Sequence, residues 1–265
     1  MKAKQINANN EASDLESFEW YADFEDLLPH FKDGLIEGES QRILVPGCGN
    51  SLLSEKLCTV MHQTKVSSLD FVPEIVQKMN ERGVSGVTYS EGDFLQMSFA
   101  DHSFDVVVDK GSFDAICLDT DPESEQKYMQ YLAEQTRVLD PSVNGKFLIV
   151  SLLQAHVLDA LLDFFLRGSN NPHFEQYGFD LELRKLDKIC NVQDSSFVTF
   201  FLCFTKRAKS AGAAKLSLKL SVAGPAETLE EADLKRRVKM MQYEAMMSSD
   251  VKEFKKGQIF QQFTE

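Results

Sequence analysis

Apolar and polar positions follow two alternating patterns along much of this chain. From about residue 41 to residue 206, short apolar runs of strand length alternate with segments whose apolar residues recur at helical spacing. The predicted strands lie at 42–45, 65–69, 86–89, 104–108 and 146–152, and the predicted helices lie at 52–60, 73–82, 124–139 and 155–166. Strands that alternate with helices in this way form a mostly parallel sheet with helices on both faces.

The end of this region departs from the alternation. Two further strands are predicted at 181–189 and 197–205, and the short connection between them indicates an antiparallel hairpin. We therefore expect an α/β fold with a doubly wound, mostly parallel seven-stranded sheet and an antiparallel C-terminal hairpin.

Three parts of the chain are expected. Residues 1–40 form a helical leader or lid, 41–206 form the sheet domain, and 207–265 form a linker or edge strand followed by a charged helix. Small residues are frequent at 209–225, whereas helix formers dominate 227–247. No apolar run approaches the roughly 18 residues that span a bilayer, and the N-terminal residues show no secretory signal.

Acidic side chains dominate the body of the chain. The 265 residues include 28 basic and 41 acidic side chains, a net charge of −13. Residues 206–265 hold 12 of the basic and 8 of the acidic ones, so the remainder carries −17. This balance argues against a nucleic-acid binder that neutralises phosphates, and it leaves a basic protein or a small molecule as partner. The five cysteines form no CxxC pair and the five histidines have no metal-ligand spacing, which predicts reduced thiols, a cytoplasmic protein and no metal site.

The sequence PGCGNS at 46–51 follows the first predicted strand. Glycines between a strand and a helix allow a tight turn and a close approach of the backbone to a ligand. A dinucleotide-binding loop has Gly or Ala three residues after its second glycine, and here that position is Leu52. The loop therefore favours a nucleoside cofactor without phosphates over a nicotinamide dinucleotide, with an ordinary turn as the alternative. The candidate cofactor-binding residues in this loop are Gly47, Cys48, Gly49 and Asn50.

Carboxylates follow the second and third predicted strands. Asp70 can accept hydrogen bonds from both hydroxyls of a ribose, and the next residue, Phe71, can pack on an adenine. Asp93 can accept the adenine amino group, and Phe94 can cover the ring. The alternatives are a helix cap for Asp70 and a solvated loop carboxylate for Asp93.

Asp109 and Lys110 directly follow the fourth predicted strand. This strand, FDVVV, is continuously apolar, as expected for a strand buried on both faces. The carboxyl ends of central strands line the ligand crevice of an open sheet, so we expect both residues at the reaction site. A local ion pair between Lys110 and Asp114 is the alternative.

The sequence FEWY at 18–21 contains the single tryptophan of the chain. An aromatic leader before the first strand can fold over the carboxyl edge of the sheet as a lid, with Trp20 and Tyr21 in contact with the substrate. The alternative is a helix that packs Trp20, Phe24 and Leu28 against the core.

These features, in order and on successive strand ends, resemble the class I S-adenosylmethionine-dependent methyltransferases over about residues 15–206. The ILVPGCGNS turn, the VVDKGSFDA segment, the FEWY leader and SLLQAH after the fifth strand are together similar to the N-terminal domain of the two-domain methyltransferases of elongation factor 1-alpha. The resemblance implies a Rossmann-like fold and S-adenosyl-L-methionine as cofactor. It also implies methylation of a lysine ε-amine on elongation factor 1-alpha.

The resemblance also implies roles for the strand-end residues. Gly47 and Gly49 would approach the methionyl part of the cofactor, Asp70 would hold its ribose, and Asp93 with Phe94 would hold its adenine. Asp109 and Lys110 correspond to the loop that borders both the cofactor and the acceptor lysine. We expect Asp109 to orient the amine, between walls formed by Trp20, Tyr21 and Phe113.

The pattern departs from that of the family in two places. Many class I members carry an acid two residues before the first glycine, where this chain has Val45. Relatives usually carry a tyrosine–tryptophan helix ahead of FEWY, whereas the first 17 residues here contain no aromatic side chain, so we expect a different cap on the cofactor site. A small-molecule methyltransferase, an aminopropyltransferase of the same fold and a non-catalytic methyltransferase-like binding module are the alternatives.

Overall fold

A single sheet organises the computed structural model, which describes residues 17–35, 41–118, 121–168, 177–192, 195–208, 216–221 and 227–248. The strands in this part of the chain are β1 (Arg42–Pro46), β2 (Lys65–Asp70), β3 (Val87–Glu91), β4 (Val106–Lys110), β5 (Lys146–Ser151), β6 (Tyr177–Val192), β7 (Ser195–Ala208), β8 (Leu216–Ser221) and β9 (Glu227–Thr228). The helices are α1 (Phe24–His30), α2 (Leu53–Thr59), α3 (Pro73–Glu81), α4 (Ser112–Ile116), α5 (Pro122–Val138), α6 (Ala155–Leu162) and α7 (Glu231–Ser248).

The sheet has the strand order β3-β2-β1-β4-β5-β7-β6-β8-β9. The five strands from β3 to β5 are parallel to one another, and β7 runs antiparallel to both β5 and β6. The expected doubly wound, seven-stranded sheet with its C-terminal hairpin is confirmed. Beyond it, β8 pairs in parallel with β6 and falls within the stretch predicted as a linker or an edge strand. Residues 209–215 and 222–226 of that stretch lie outside the described residues.

The buried side chains of the central strands alternate between two separate cores. In β4, Val107 packs in one core, whereas Val106 and Val108 pack in the other. The first core also contains apolar residues of α5, α6 and α7, and the second contains those of α1, α2 and α3. The molecule is therefore a three-layer α/β/α arrangement, because each face of the sheet is covered by its own set of helices.

The boundaries of several predicted strands differ from the structure. Strand β4 begins two residues later than predicted, because Phe104 makes only an isolated bridge to Leu139 and Asp105 turns its carboxylate to Arg42. The strands of the hairpin extend beyond 181–189 and 197–205 at both ends. The added residues mix aromatic, small and polar side chains, such as Phe179, Gly178 and Lys206, so they do not continue the apolar runs from which the strands were predicted. The short helix α4 was not predicted.

Strand order reverses between β1 and β4, which are neighbours in the sheet although β2 and β3 separate them in sequence. Connections leave these two strands in opposite directions, which opens a crevice at their carboxyl ends. The loop 46–51 follows β1 and the turn at 109–114 follows β4, so the fold brings these two motifs to the same crevice. Among the described residues, no helix combines the length and apolar character of a membrane span.

Arg137 at the end of α5 fastens the segment between β3 and β4. Its guanidinium donates to both carboxylate oxygens of Glu134, each at 2.8 Å, and to Asp101 and the carbonyl of Phe99, also at 2.8 Å. We expect Arg137→Met to lower the free energy of unfolding in urea by about 2 kcal/mol, because several charge-assisted hydrogen bonds are lost together.

Arg236→Met is the matched control. Arg236 pairs with Asp233 on the same helix, and its side chain is 70% exposed, so its removal is expected to cost less than about 0.5 kcal/mol. Equal losses in the two variants would contradict the role given to Arg137.

Candidate functional site

A cleft opens to solvent at the carboxyl ends of β1 and β4. It lies between the glycine loop at 46–51 and the aromatic leader, at the reversal of strand order where open α/β sheets bind ligands. The cleft is lined by Phe18, Trp20, Val45, Pro46, Gly47, Cys48, Gly49, Asn50, Ser51, Leu53 and Lys110.

The two glycines of the loop have positive φ angles, 61° at Gly47 and 52° at Gly49. A Cβ on Gly47 would lie 2.4 Å from Oγ of Ser112, so this glycine allows the loop to pack against the start of α4. A Cβ on Gly49 would meet no atom within 4 Å. Gly49 therefore leaves space at the point where a ligand can approach the backbone.

Cys48 lies between these glycines and is buried. Its amide donates to the carbonyl of Leu69 at 3.1 Å, which ties the glycine loop to the end of β2. Burial raises the pKa of its thiol to about 12. The thiol is therefore protonated at neutral pH and is not a nucleophile.

Asp70 at the end of β2 holds the glycine loop and the start of α3 together. One carboxylate oxygen accepts the amide of Gly49 at 2.8 Å, and the other accepts the amide of Val72 at 3.0 Å. The contact with Val72 matches the alternative role of Asp70 beside a helix start, whereas its contact with the glycine loop was not predicted. Each oxygen keeps a further lone pair with which it can accept a ligand hydroxyl. Phe71, by contrast, is 65% exposed.

Asp93 and Phe94 have different surroundings. Oδ1 of Asp93 accepts the amide of Leu95 at 2.8 Å, and the residue is exposed. The ring of Phe94 lies edge-on to Tyr131, with 5.2 Å between centroids, and lies beside Gly47. The structure thus brings Phe94 to the glycine loop, and it leaves Asp93 outside the lining of the cleft.

Asp109 lies beneath the cleft and is completely buried. One oxygen accepts the amide of Ser112 at 2.8 Å, and the other accepts the amide of Phe113 at 2.9 Å and the hydroxyl of Tyr131 at 2.7 Å. Desolvation raises its pKa to about 7. The carboxylate therefore fixes the turn after β4 from inside. Phe113 is also completely buried, stacked on Tyr131, so it does not form a wall of the cleft as predicted.

Lys110 points in the other direction, into the lining of the cleft. Its Nζ lies 2.7 Å from Oε2 of Glu19 and donates to the carbonyl of Trp20 at 3.3 Å. Lys110 therefore pairs with Glu19 of the leader rather than with Asp114. Asp114 instead accepts the hydroxyls of Ser151 and Tyr21 and the amide of Leu152. Its pKa is raised, because desolvation outweighs these hydrogen bonds.

The leader lies over the cleft as an irregular segment before α1, with a tight turn in which the amide of Ala22 donates to the carbonyl of Trp20 at 2.7 Å. Trp20 is 55% exposed, and its ring meets that of Phe18 edge-to-face with 4.9 Å between centroids. The alternative of a packed helix holds for Phe24, which is buried at the start of α1, and it does not hold for Trp20. Tyr21 has a φ of 64°, and its carbonyl accepts the hydroxyl of Thr199 on β7 at 3.3 Å.

Several residues that shape the site were not predicted from the sequence. They are Glu19, Ser51, Ser112, Asp114 as a partner of Tyr21, and Tyr131. Each makes its contact with a residue that is distant in sequence. The one local signal was a polar side chain inside an otherwise apolar or aromatic segment, as for Glu19 within FEWY and Tyr131 on the buried face of α5.

Residues 38–160 match a family model described as a methyltransferase domain. These residues are a methyltransferase domain. The domain contains the glycine loop, Asp70, Asp93, Asp109 and Lys110, whereas the leader precedes it. The resemblance to methyltransferases that the strand-end motifs indicate is confirmed.

This chain is similar in sequence to three curated relatives. The eEF1A lysine and N-terminal methyltransferase of Bos taurus is 38% identical over 155 residues, which are 57% of this chain and 22% of the relative. The eEF1A lysine and N-terminal methyltransferase homolog of Drosophila pseudoobscura pseudoobscura is 28% identical over 235 residues, 88% of this chain and 34% of the relative. EEF1A lysine methyltransferase 4 of Mus musculus is 32% identical over 185 residues, 66% of this chain and 65% of the relative. The aligned part spans about a fifth of the length of the Bos taurus relative.

The raised pKa of Asp109 within the methyltransferase domain predicts a specific dependence of stability on pH. An unfolded Asp ionises near 3.8, whereas the folded carboxyl ionises near 7, so between these values the folded state binds the extra proton and loses stability as pH rises. Relative to Asp109→Asn, the wild type is expected to lose about 1.4 kcal/mol of stability per pH unit between pH 4 and pH 7. Urea unfolding of both proteins from pH 4 to pH 8 measures this difference. A constant difference across that range would contradict the buried, proton-binding state of Asp109.

Proposed function

We propose that this chain is an S-adenosylmethionine-dependent protein-lysine methyltransferase whose substrate is translation elongation factor 1-alpha. The observation that carries the proposal is the cleft, in which an open glycine loop and an exposed tryptophan face each other at the carboxyl edge of a methyltransferase domain. The names of the relatives support the choice of elongation factor 1-alpha as the substrate.

The residues present fit the proposed cofactor. The free space beside Gly49 allows the backbone to approach the methionyl part, and the free lone pairs of Asp70 are suited to the ribose hydroxyls. The half-buried ring of Phe94 next to the glycine loop offers an apolar contact for the adenine, and Asp93 stays a predicted acceptor for its amino group. When bound, S-adenosylmethionine supplies a methyl group on a positively charged sulfonium.

The chain must present a neutral amine in line with that methyl group. A lysine ammonium has no free lone pair, and removal of the amine from water in a slot with aromatic walls favours its reactive, uncharged form. Trp20, which is both exposed and part of the cleft lining, is the best placed wall for the acceptor lysine. Enclosure by this ring also excludes water and aligns the reacting groups.

The other proposed catalytic residues act through their neighbours. Tyr21 donates to Asp114, Lys110 pairs with Glu19, and Asp109 is engaged by two amides and Tyr131. We therefore assign to Tyr21, Lys110 and Asp109 the positioning of the cleft walls. In this assignment Asp109 holds the turn that carries Lys110 and does not touch the amine.

Binding of the cofactor is testable with two matched glycine substitutions. Gly49 and Gly83 both have positive φ angles, 52° and 64°, and in both a Cβ would meet no atom within 4 Å. Each change to Ala therefore imposes a similar backbone cost of about 1 kcal/mol. We expect only Gly49→Ala to weaken the binding of S-adenosylhomocysteine, by at least roughly tenfold as measured by calorimetry, because its methyl group enters the cleft. Equal affinities of the two variants would contradict a cofactor site at Gly49.

The substrate is tested with radiolabelled S-adenosylmethionine. We expect the wild type and Gly83→Ala to label purified elongation factor 1-alpha on lysine, and Gly49→Ala to label it much more slowly. Labelling of only small molecules in a cell extract would favour the small-molecule alternative. Cofactor binding without any labelling would favour a binding module.

A further inference from the structure

Glu19 in the leader accepts hydrogen bonds from residues that follow β1 and forms an ion pair with Lys110 at the end of β4. Oε2 accepts the hydroxyl of Ser51 at 2.7 Å, Oε1 accepts the amide of Leu52 at 2.7 Å, and Lys110 Nζ lies 2.7 Å from Oε2. Ser51 and Leu52 connect the glycine loop to α2, and Lys110 ends β4. One carboxylate therefore joins the leader to the two strand ends that form the crevice.

Tyr21 provides a second anchor for the same segment. Its hydroxyl donates to Asp114, which also binds Ser151 and the amide of Leu152 at the end of β5. Its backbone is held in the left-handed region, which costs a non-glycine residue about 1 kcal/mol and persists only where the surroundings impose it. The leader is thus fastened on both sides of Trp20.

Trp20 lies between these anchors with little packing of its own. It is more than half exposed, and the aromatic rings that it meets among the described residues are those of Phe18 and Tyr21, which also belong to the leader. Its position over the cleft therefore depends on Glu19 and Tyr21 rather than on the core.

The charge of Glu19 also bears on what the cleft can bind. The side chain of Lys110 is only 5% exposed, and Glu19 is its carboxylate partner. Without Glu19, an uncompensated ammonium would line the cleft, at a large desolvation cost. A cationic ligand would then meet a positive charge instead of a neutral ion pair.

We propose that Glu19 is a positioning residue that clamps Trp20 over the cleft and couples its placement to ligand binding at the glycine loop. The proposal rests on the cofactor site described above. A ligand that fixes the conformation of the glycine loop also fixes Ser51 and Leu52, which provide two of the three hydrogen-bond donors to Glu19. The two equilibria are linked. The factor by which the ligand favours the clamped state of Trp20 is therefore the factor by which ligand affinity falls when the clamp is released.

Because Trp20 is the single tryptophan, its fluorescence reports on the clamp directly. In Glu19→Gln we expect acrylamide quenching of Trp20 to rise toward that of a fully exposed indole. We also expect the affinity for S-adenosylhomocysteine to fall on the order of tenfold, the effect of losing one charge-assisted hydrogen bond. In the wild type, saturation with S-adenosylhomocysteine is expected to reduce the quenching, and this response is expected to be smaller in the variant.

Glu25→Gln is the matched control. Glu25 on α1 pairs with Lys56 on α2 at 2.7 Å, so it also joins the N-terminal segment to α2, and it lies outside the cleft lining. We expect this variant to match the wild type in quenching and in affinity. Wild-type quenching and affinity in Glu19→Gln would overturn the proposal, as would equal changes in both variants.

Tyr21→Phe tests the clamp independently if Glu19→Gln does not fold, as judged by circular dichroism. It removes only the hydroxyl that binds Asp114, and we expect greater quenching of Trp20; unchanged quenching would overturn the proposal. These measurements need no protein substrate. If the clamp responds as expected and elongation factor 1-alpha stays unlabelled, the substrate is wrong and the clamp stands.

Discussion

The carboxylate of Asp109 is held in the protein interior by two backbone amides and the hydroxyl of Tyr131, and the cleft is built on this arrangement. A buried acid is costly unless its hydrogen bonds are satisfied, so the turn after β4 must adopt the shape that offers both amides. That shape starts α4 at Ser112, whose hydroxyl then donates to the carbonyl of Pro46 at 3.0 Å. The turn after β4 and the glycine loop after β1 are thereby fixed to each other.

A second buried carboxylate, that of Asp114, also holds neighbouring segments together through hydrogen bonds. Asp114 on α4 accepts hydrogen bonds from Ser151 and Leu152 at the end of β5 and from Tyr21 of the leader. Asp109 therefore fixes the turn after β4, and Asp114 fixes the leader to the end of β5. Preorganisation of this kind reduces the conformational entropy that would otherwise be lost when reactants are aligned. The hydrogen bond to Asp114 also helps to hold the backbone of Tyr21 in its left-handed conformation.

The sequence predicted the layout of the fold better than the directions of its side chains. Strands β1, β4 and β5 were found because burial on both faces requires continuous apolar runs, whereas β2 contains two serines between its apolar residues. The positions of Asp70, Asp109 and Lys110 at strand ends follow from the predicted topology alone. Successive strand residues point to opposite sides, so a one-residue ambiguity decides whether a side chain faces the core or the cleft. For this reason Asp109 was expected to face the cleft, whereas its side chain is completely buried. Phe113 was also expected in the cleft wall, and it is buried because the unpredicted helix α4 turns its ring onto Tyr131. The partners of Lys110 and Tyr21 depend on contacts across more than 90 residues, which no local pattern encodes.

The difference between buried and exposed carboxylates decides how much of the net negative charge can attract a basic partner. A carboxylate that is buried and hydrogen-bonded, such as Asp109, or paired with an ammonium, as Glu19 is, contributes little field at the surface. Long-range attraction of a basic partner therefore depends on the exposed acids near the same edge, which include Glu74, Glu91 and Asp93. Their attraction acts over about a Debye length and weakens with salt, so it influences the rate of encounter with a basic protein. In the proposed reaction the acceptor lysine must lose the positive charge that these acids attract, and removal of the amine from water beside Trp20 would favour that loss.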